Sequence, residues 1–593
     1  MRVYGRRKGI SVLAISGTYV VQLAFDVTAA KRKGLLGFAI HRQDHTEDEQ
    51  YWLRGFKTFK QTFPNPSPGS LVSTLEHPVQ GFLWGDYTAK PDHKYTYTVV
   101  PMYGQPKNLK EGPRVVITIE TPGNDMDETH TIVFNRGVAG SQAYARRFGN
   151  VSPRNIKDPK KQAAAYRWLS RGLEEAILAF IGQAKSKKYG LRASVYEFNW
   201  APVLDAFKKA HDQGADVRII YDRRKRGPFE ATEKAAEKAG LLNLDAHGGG
   251  KVMIRRETNS AISHNKFIVL LENGKPTQVW TGSTNYTEGG IFGQSNVGHQ
   301  IRDENIAQAY FDYWTRLSVD PEFKDIRTGN DAANTIPRNL PPNDSLSAIF
   351  SPQGSLRALE WYGERMDGAK QTLGFTAAFG ISKTLAPILL EQKPYLRYIM
   401  VESEGSKRVP KATPENPNPK SQFETFQEIE ALKNNRVAMG SYLKTAEDDA
   451  LGGELHRFVS EGLTGLNVHV RYLHTKYMFA DPLTRQPLVI SGSANFSDAS
   501  TRKNDENMVV IRGNTNVADS FFGEFMRLFN HFYFRTVIQR HAAMQANEAV
   551  KSEPYLDPDD SWTDAYFTEG TDKYMERKLY VQGMKGLPDT NKG

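Results

Sequence analysis

An α/β protein built of two duplicated halves packed around one shared site, preceded by a small antiparallel β-sandwich, is the fold class this sequence predicts. Three observations predict it. Apolar residues recur with period 2 from residue 10 to about 120, helix and strand patterns then alternate, and a set of motifs repeats at a constant offset of 210 residues. At roughly 150 residues per domain, the 593 residues suit about four compact units.

In the first region Tyr19, Val21, Leu23, Phe25 and Val27 fall on one strand face, followed by Tyr95, Tyr97 and Val99, then Val115, Ile117 and Ile119. Turn-rich stretches such as Pro64-Asn65-Pro66-Ser67-Pro68-Gly69-Ser70 separate them, with no helical periodicity of useful length, which argues for a small sandwich over residues 1–122. Lys94-Tyr95-Thr96-Tyr97-Thr98-Val99-Val100-Pro101 resembles the late strand of fibronectin type III and related immunoglobulin-like domains. An unrelated small β domain is the other reading of the same stretch.

From residue 123 the texture changes. Trp168, Leu169, Leu173, Ala176, Ile177 and Phe180 sit at helical spacing, the strand-like Leu191–Tyr196 follows, and a further helix ends near Gly214 before Val217–Tyr221. Such alternation points to a sheet buried between helices. A Pro- and Asn-rich break at 335–344 precedes a second cycle, with a helix around Leu356 to Met366, a strand near Leu373 to Thr376, and another at Tyr398–Val401. The predicted units are therefore a first half over 123–335, a second over 336–545, and a C-terminal tail over 546–593. Pro410, Pro414, Pro417 and Pro419 mark a surface insertion in the second half.

The repeat carries the chemistry. His264-Asn265-Lys266 is followed after fifteen residues by Gly282-Ser283-Thr284-Asn285, and His474-Thr475-Lys476 after fifteen residues by Gly492-Ser493-Ala494-Asn495. Downstream, Ala307, Tyr310, Phe311, Trp314 and Leu317 correspond to Ala518, Phe521, Phe522, Phe525 and Leu528. On a strand, residues two apart share a face, so each His lies beside its Lys. Fifteen residues cover the rest of that strand, a turn and a neighbouring strand, which returns Gly-Ser-x-Asn to the same end. Glycine permits close backbone approach, while Ser283, Asn285, Ser493 and Asn495 offer hydrogen-bonding groups to an oxyanion. Each half thus supplies an imidazole, an ammonium and an amide, a half-site for a phosphoryl group. Lysine is not a usual metal ligand and the chain has no Cys, so no metal or other cofactor is expected.

These paired motifs resemble the signatures of the phospholipase D superfamily over about residues 130 to 545. The resemblance implies a metal-independent phosphodiesterase in which one histidine attacks phosphorus to form a phosphohistidine. Its partner then protonates the leaving oxygen and activates water, while Lys266, Lys476, Asn285 and Asn495 hold the phosphoryl oxygens. The copies are unequal. Asp481 completes the family pattern in the second, whereas Leu271 stands in its place in the first, with Glu272 one residue late. Glu506 occupies the position where the family puts an acid behind a histidine, and Gly293-Gln294-Ser295-Asn296 offers no carboxylate there. This asymmetry is similar to that of tyrosyl-DNA phosphodiesterases. It leads to the expectation that His264 is the nucleophile, oriented by Gln294 or Ser295. His474 is then the general acid and base, with Glu506 behind it to stabilise the imidazolium. Trp200 and Phe379, aromatic residues near predicted strand ends, are candidates for stacking on substrate, with core packing the alternative.

Net charge of +10 fits a polyanionic partner, although residues 1–122 alone contribute 16 Lys+Arg against 10 Asp+Glu. No run of apolar residues is long enough to span a membrane, and the N-terminal residues do not read as a secretory signal, so a cytoplasmic location is expected. Nucleic acid is the favoured substrate, making the protein a nuclease on DNA or RNA. A phospholipase D or phosphatidyltransferase acting on phospholipid is the alternative. An inactive binding scaffold is disfavoured because all four His and Lys residues of the motifs are present.

Overall fold

The computed structural model describes residues 1–67, 70–137, 142–149, 151–224, 227–258, 262–334, 340–414, 417–440, 473–545 and 555–591. In the N-terminal region a four-stranded antiparallel sheet runs in the order Arg2–Arg7, Ile10–Ser16, Val21–Val27, Leu83–Asp86. A second antiparallel sheet is centred on Lys94–Gln105, which pairs with Gly37–Asp44 and Val115–Glu120. Val12, Leu23 and Phe25 from the first sheet meet Phe38, Tyr97 and Ile117 from the second in one core. Burial alternates strictly along Val115–Glu120. It does not along Val21–Val27, where only Asp26 escapes full burial. The outer face of that strand is covered as well, with Ala24 packed into the core of the following sheets and Gln22 accepting from the Tyr580 hydroxyl at 3.0 Å.

That cover comes from residues expected to form a tail. Residues 555–591 fold back onto the N-terminal sheets instead of trailing away. Trp562 and Tyr566 complete their core, the Trp562 indole donates to the Leu35 carbonyl at 2.8 Å, and Arg577 in the helix Asp572–Gly583 bonds Asp26 at 2.8 Å.

Two seven-stranded sheets follow with the same strand order and directions. The first runs His130–Phe134, Val297–Ile301, Lys275–Gly282, Lys266–Glu272, Tyr189–Val195, Asp216–Asp222, Met253–Arg256. The second runs Ser345–Ser351, Glu506–Arg512, Leu488–Gly492, Tyr477–Ala480, Leu373–Ala377, Arg397–Val401, Asn435–Met439. In each, the last three strands are parallel and the first four antiparallel. The helices Glu304–Ser318 and Thr515–Gln545 line the seam, where Tyr310, Tyr313 and Trp314 share a core with Phe521, Phe522 and Phe525.

One local reading needs revision. The helical pattern through Trp168 and Phe180 belongs to two helices, Pro159–Ser170 and Leu173–Ile181, because Arg171 and Gly172 both take positive φ. The break turns the Arg171 side chain toward the Phe134 carbonyl and the buried Glu524 carboxylate. The expected boundary between halves at 335–339 lies outside the described residues, and so do residues 441–472 of the second half. The Pro-rich stretch holds no helix or multi-residue strand among its described residues.

Because Trp562 fills the N-terminal core from a distant segment, Trp562→Ala should lower stability by about 3–5 kcal/mol, read as a reduced urea midpoint of the β-rich region.

Candidate active site

Each His-x-Lys motif sits where a segment enters a central antiparallel strand. Asp222, at the end of a neighbouring parallel strand, accepts from the Ser263 amide at 3.0 Å, and Glu402 accepts from the Leu473 amide at 3.0 Å. The strand Lys266–Glu272 then turns into Lys275–Gly282, which delivers Ser283 and Asn285 back to the starting end. Tyr477–Ala480 and Leu488–Gly492 do the same for Ser493 and Asn495. Glycine is required at both returns: a Cβ on Gly282 would lie 2.2 Å from the Val297 carbonyl oxygen, and one on Gly492 2.2 Å from that of Asn507. Asp481 sits at the far end of its strand, capping the amides of Lys370, Gln371 and Thr372.

The two halves meet at these motifs, and their hydrogen bonds cross. Backbone bridges join Ser263 to Asp505 and Leu473 to Ser295. The Nδ1 of His264 bonds Glu506 at 2.9 Å, and the Nδ1 of His474 bonds the Asn296 Oδ1 at 2.9 Å. Glu506 therefore stands behind His264 and not behind His474, which corrects the expected pairing. Sequence alone places Glu506 with the histidine of its own half, whereas the halves face each other and each reaches across. At His264 Nδ1, Glu506 takes the place expected for Gln294 or Ser295. Ser295 Oγ accepts from the His474 amide at 3.3 Å, and the Gln294 carbonyl accepts from Asn135 at 2.7 Å.

A carboxylate only accepts, so His264 carries its proton on Nδ1. The Asn296 amide is fixed too, its nitrogen donating to the Gly290 carbonyl at 2.7 Å while Oδ1 also accepts from Ser283 at 2.8 Å. His474 is thus protonated on Nδ1 as well, which leaves Nε2 of each neutral ring with a lone pair. His264 and His474 are each 4% exposed, and Lys266 and Lys476 each 1%. The lysines are pinned beside their histidines, donating to the His264 carbonyl at 2.6 Å and the His474 carbonyl at 2.5 Å.

Not every expected substrate contact is available. The hydroxyls of Ser283 and Ser493 are fully buried and bonded to Asn296 and to Asn507, so they brace the strands behind the histidines. Trp200 is likewise structural, its indole donating to Glu174 at 2.6 Å and its ring packed on Tyr166 and Phe292. Phe379 is 58% exposed just beyond the strand Leu373–Ala377. Asn285 and Asn495 each bury a side-chain oxygen with no partner among the described residues.

Burial dominates the electrostatics. It pushes both imidazoles well below the usual histidine range, helped by the ammonium charges of Lys266 and Lys476. Burial also lowers Lys266 to about 8, against the pull of Glu506 and Glu197, and lowers Lys476, to which Lys266 adds like-charge repulsion. It raises Glu506 to about 7, opposed by Lys266. Behind Glu506, the buried Arg256 reaches across the seam to Asp505 at 3.1 Å and holds Asp320 at 2.6 Å.

Three functional neighbours escaped the sequence reading. The 210-residue offset carries Glu506 onto Asn296, so the counterpart of the acid was legible as an amide. Tyr196 meets the His264 ring edge-on at 5.1 Å, and Glu197 accepts from the Asn285 amide at 2.6 Å. Both follow Val195, the residue paired with Lys266, and no local motif announces them.

A family model described as cardiolipin synthase, PLD-like domain, matches residues 177–317 and 428–531, segments that contain both His-x-Lys motifs. No curated protein sequence matches the chain. Among solved structures, Haemophilus influenzae phosphatidylserine synthase is 14% identical over 70% of this chain and 93% of its own, with a TM-score of 0.37. Porphyromonas gingivalis polyphosphate kinase is 13% identical over 57% of this chain and 43% of its own, less than half its length, with a TM-score of 0.35. Yeast tyrosyl-DNA phosphodiesterase is 15% identical over 58% of this chain and 88% of its own, with a TM-score of 0.31. In two matched segments, then, the chain carries a phospholipase D-like domain, the domain of a phosphodiester-processing enzyme.

Proposed function

We propose that the protein is a phosphodiesterase working through a phosphohistidine on one composite site, with nucleic acid as its substrate. The observation that carries the reaction class is the crossed pair of Nδ1 bonds, which leaves two Nε2 atoms to do chemistry. In the first step Nε2 of His264 attacks phosphorus, the phosphorus–oxygen bond to the leaving group breaks, and His474, which takes up a proton from solvent on Nε2 as the anionic diester binds, passes that proton to the departing oxygen. In the second, His474 takes a proton from water, the hydroxide attacks phosphorus, and the phosphorus–nitrogen bond breaks to return the lone pair to His264. Lys266, Lys476, Asn285 and Asn495 stabilise the equatorial oxygens.

His264 keeps the nucleophile's role for a different reason than sequence suggested. Its ring becomes cationic as Nε2 bonds phosphorus, and Glu506 behind Nδ1 stabilises that charge. His474, backed by an amide and flanked by ammonium groups, gives up a proton readily. The basic balance of +10 favours nucleic acid. Phospholipid is the second reading, suggested by the matched family's description as cardiolipin synthase.

Offered plasmid DNA, single-stranded DNA, RNA and anionic phospholipid vesicles, the protein should cleave a nucleic acid, with EDTA leaving turnover intact. Release of head group from vesicles with all nucleic acids untouched would select the lipid reading. Acid quenching during turnover should place the label on the peptide containing His264; label on His474 would reverse the roles.

The buried lysines make a separate prediction. Lys476 pays for burial beside a like charge, so Lys476→Met should raise thermal stability by about 0.5–2 kcal/mol while cutting activity at least about 10²-fold. Lys266 releases its proton near 8 in the folded state and higher when unfolded. The unfolded chain therefore binds more protons above that point, and wild-type stability should gain from this pair as pH rises. Calorimetry across that range should show a smaller gain in the Met variant.

A further inference from the structure

Glu197 lies two residues beyond Val195, which pairs with Lys266, so it stands at the mouth of the first half-site. Its Oε2 accepts from the Asn285 Nδ2 at 2.6 Å. An amide on its own can turn over and exchange its nitrogen for its oxygen, but an ionised carboxylate accepts only from the nitrogen, so this bond locks the amide in one orientation. Among the described residues, the second half holds no matching device. Register in the second sheet, with Phe375 opposite Met478, carries the position of Glu197 onto Phe379, and among the described residues no carboxylate is bonded to Asn495. The charge environment is also specific. Around the two ammonium groups are Glu506 from the other half, Glu197, the two imidazoles and Tyr196, while Arg224, itself paired with Asp222, acts on His264. Glu197 and Glu506 are the two carboxylates that act on both lysines.

We propose that Glu197 is a positioning residue of the first half-site, locking the Asn285 amide and offsetting the charge of Lys266 and Lys476 without touching the reacting atoms. The proposal rests on the phosphodiesterase reading above. In the empty site, the negative charge of Glu197 and Glu506 is set against the positive charge of the two lysines. An arriving diester adds one negative charge, which the proton on His474 then matches. Removing Glu197 breaks that balance and frees Asn285 to turn.

The test follows hydrolysis of bis(p-nitrophenyl) phosphate, a diester with no nucleic-acid or lipid character, as a function of pH. Glu197→Gln keeps an oxygen to accept from Asn285 and removes only the charge. The lysines then lose protons more easily, so the alkaline limb of kcat/KM should move to lower pH by about one unit. Glu197→Ala removes the orientation too and should lower kcat/KM about tenfold below the Gln variant, with no further loss when Asn285 is already Ala. An alkaline limb unmoved in Glu197→Gln overturns the proposal, as do additive losses in the Glu197→Ala, Asn285→Ala pair. The near-isosteric Gln variant, checked by its melting temperature, carries the test alone where the Ala variant does not fold. A wild-type protein inert toward every diester defeats the parent reading, whereas an active wild type with an unmoved Gln variant defeats only this one.

Discussion

The hydrogen bonds from His264 to Glu506 and from His474 to Asn296 cross the seam between the two sheets, and the remaining architecture is arranged to keep them at 2.9 Å. Neither half holds its own imidazole. Each provides the ring, the lysine and the asparagine, and borrows the group that fixes the ring's tautomer. The backbone bridges Ser263 to Asp505 and Leu473 to Ser295 bring the lenders into place, since Glu506 and Asn296 directly follow two of the bridged residues. A half alone would expose unpaired polar backbone and a ring free to choose its tautomer. The site is a property of the interface.

Such an interface is electrostatically expensive. Two lysines, two histidines, Glu506, Asp505 and Arg256 are all withdrawn from water along one seam. Charges buried in pairs often contribute no net stability, and breaking a pair costs several kcal/mol. The compensation is apolar and lies immediately beside them. Phe267, Tyr310, Tyr313 and Phe350 stack around the first motif, and Phe134, Tyr477, Phe521 and Phe525 around the second. Tyr310 and Tyr313 serve both environments, since their rings join the core while their hydroxyls reach Asn507 at 2.9 Å and the Ser351 carbonyl at 2.6 Å in the other half.

What sequence could reveal here followed from periodicity. The duplication, the strand return across fifteen residues and the four His and Lys positions are local or translationally repeated, and a single chain displays them. The partner of each histidine is not local. Glu506 lies 242 positions from His264, and only the facing of the halves decides which ring it meets. Ser283 and Ser493 read as ligands because hydroxyls in a turn look alike whether they face a cleft or a strand. Trp200 reads equally as a stacking platform or a core residue, and the bond from its indole to Glu174 decides for packing. Glu197 follows a strand without any motif of its own, and its meaning arises only where Asn285 returns beside it.

The return of residues 555–591 to the N-terminal sheets bears on how the molecule comes into being. Trp562 and Leu35 are bonded across 527 positions, and Thr590 meets Tyr4 in the same way. During synthesis the N-terminal sheets emerge well before residues 555–591, yet those residues supply a ring of their core and the cover of one outer face. For that interval Phe38 and Phe82, which Trp562 will cover, are without their final neighbour. The two duplicated halves are therefore made while the N-terminal sheets wait half-finished. Contacts of such long range slow folding and leave an apolar surface that a chaperone would recognise.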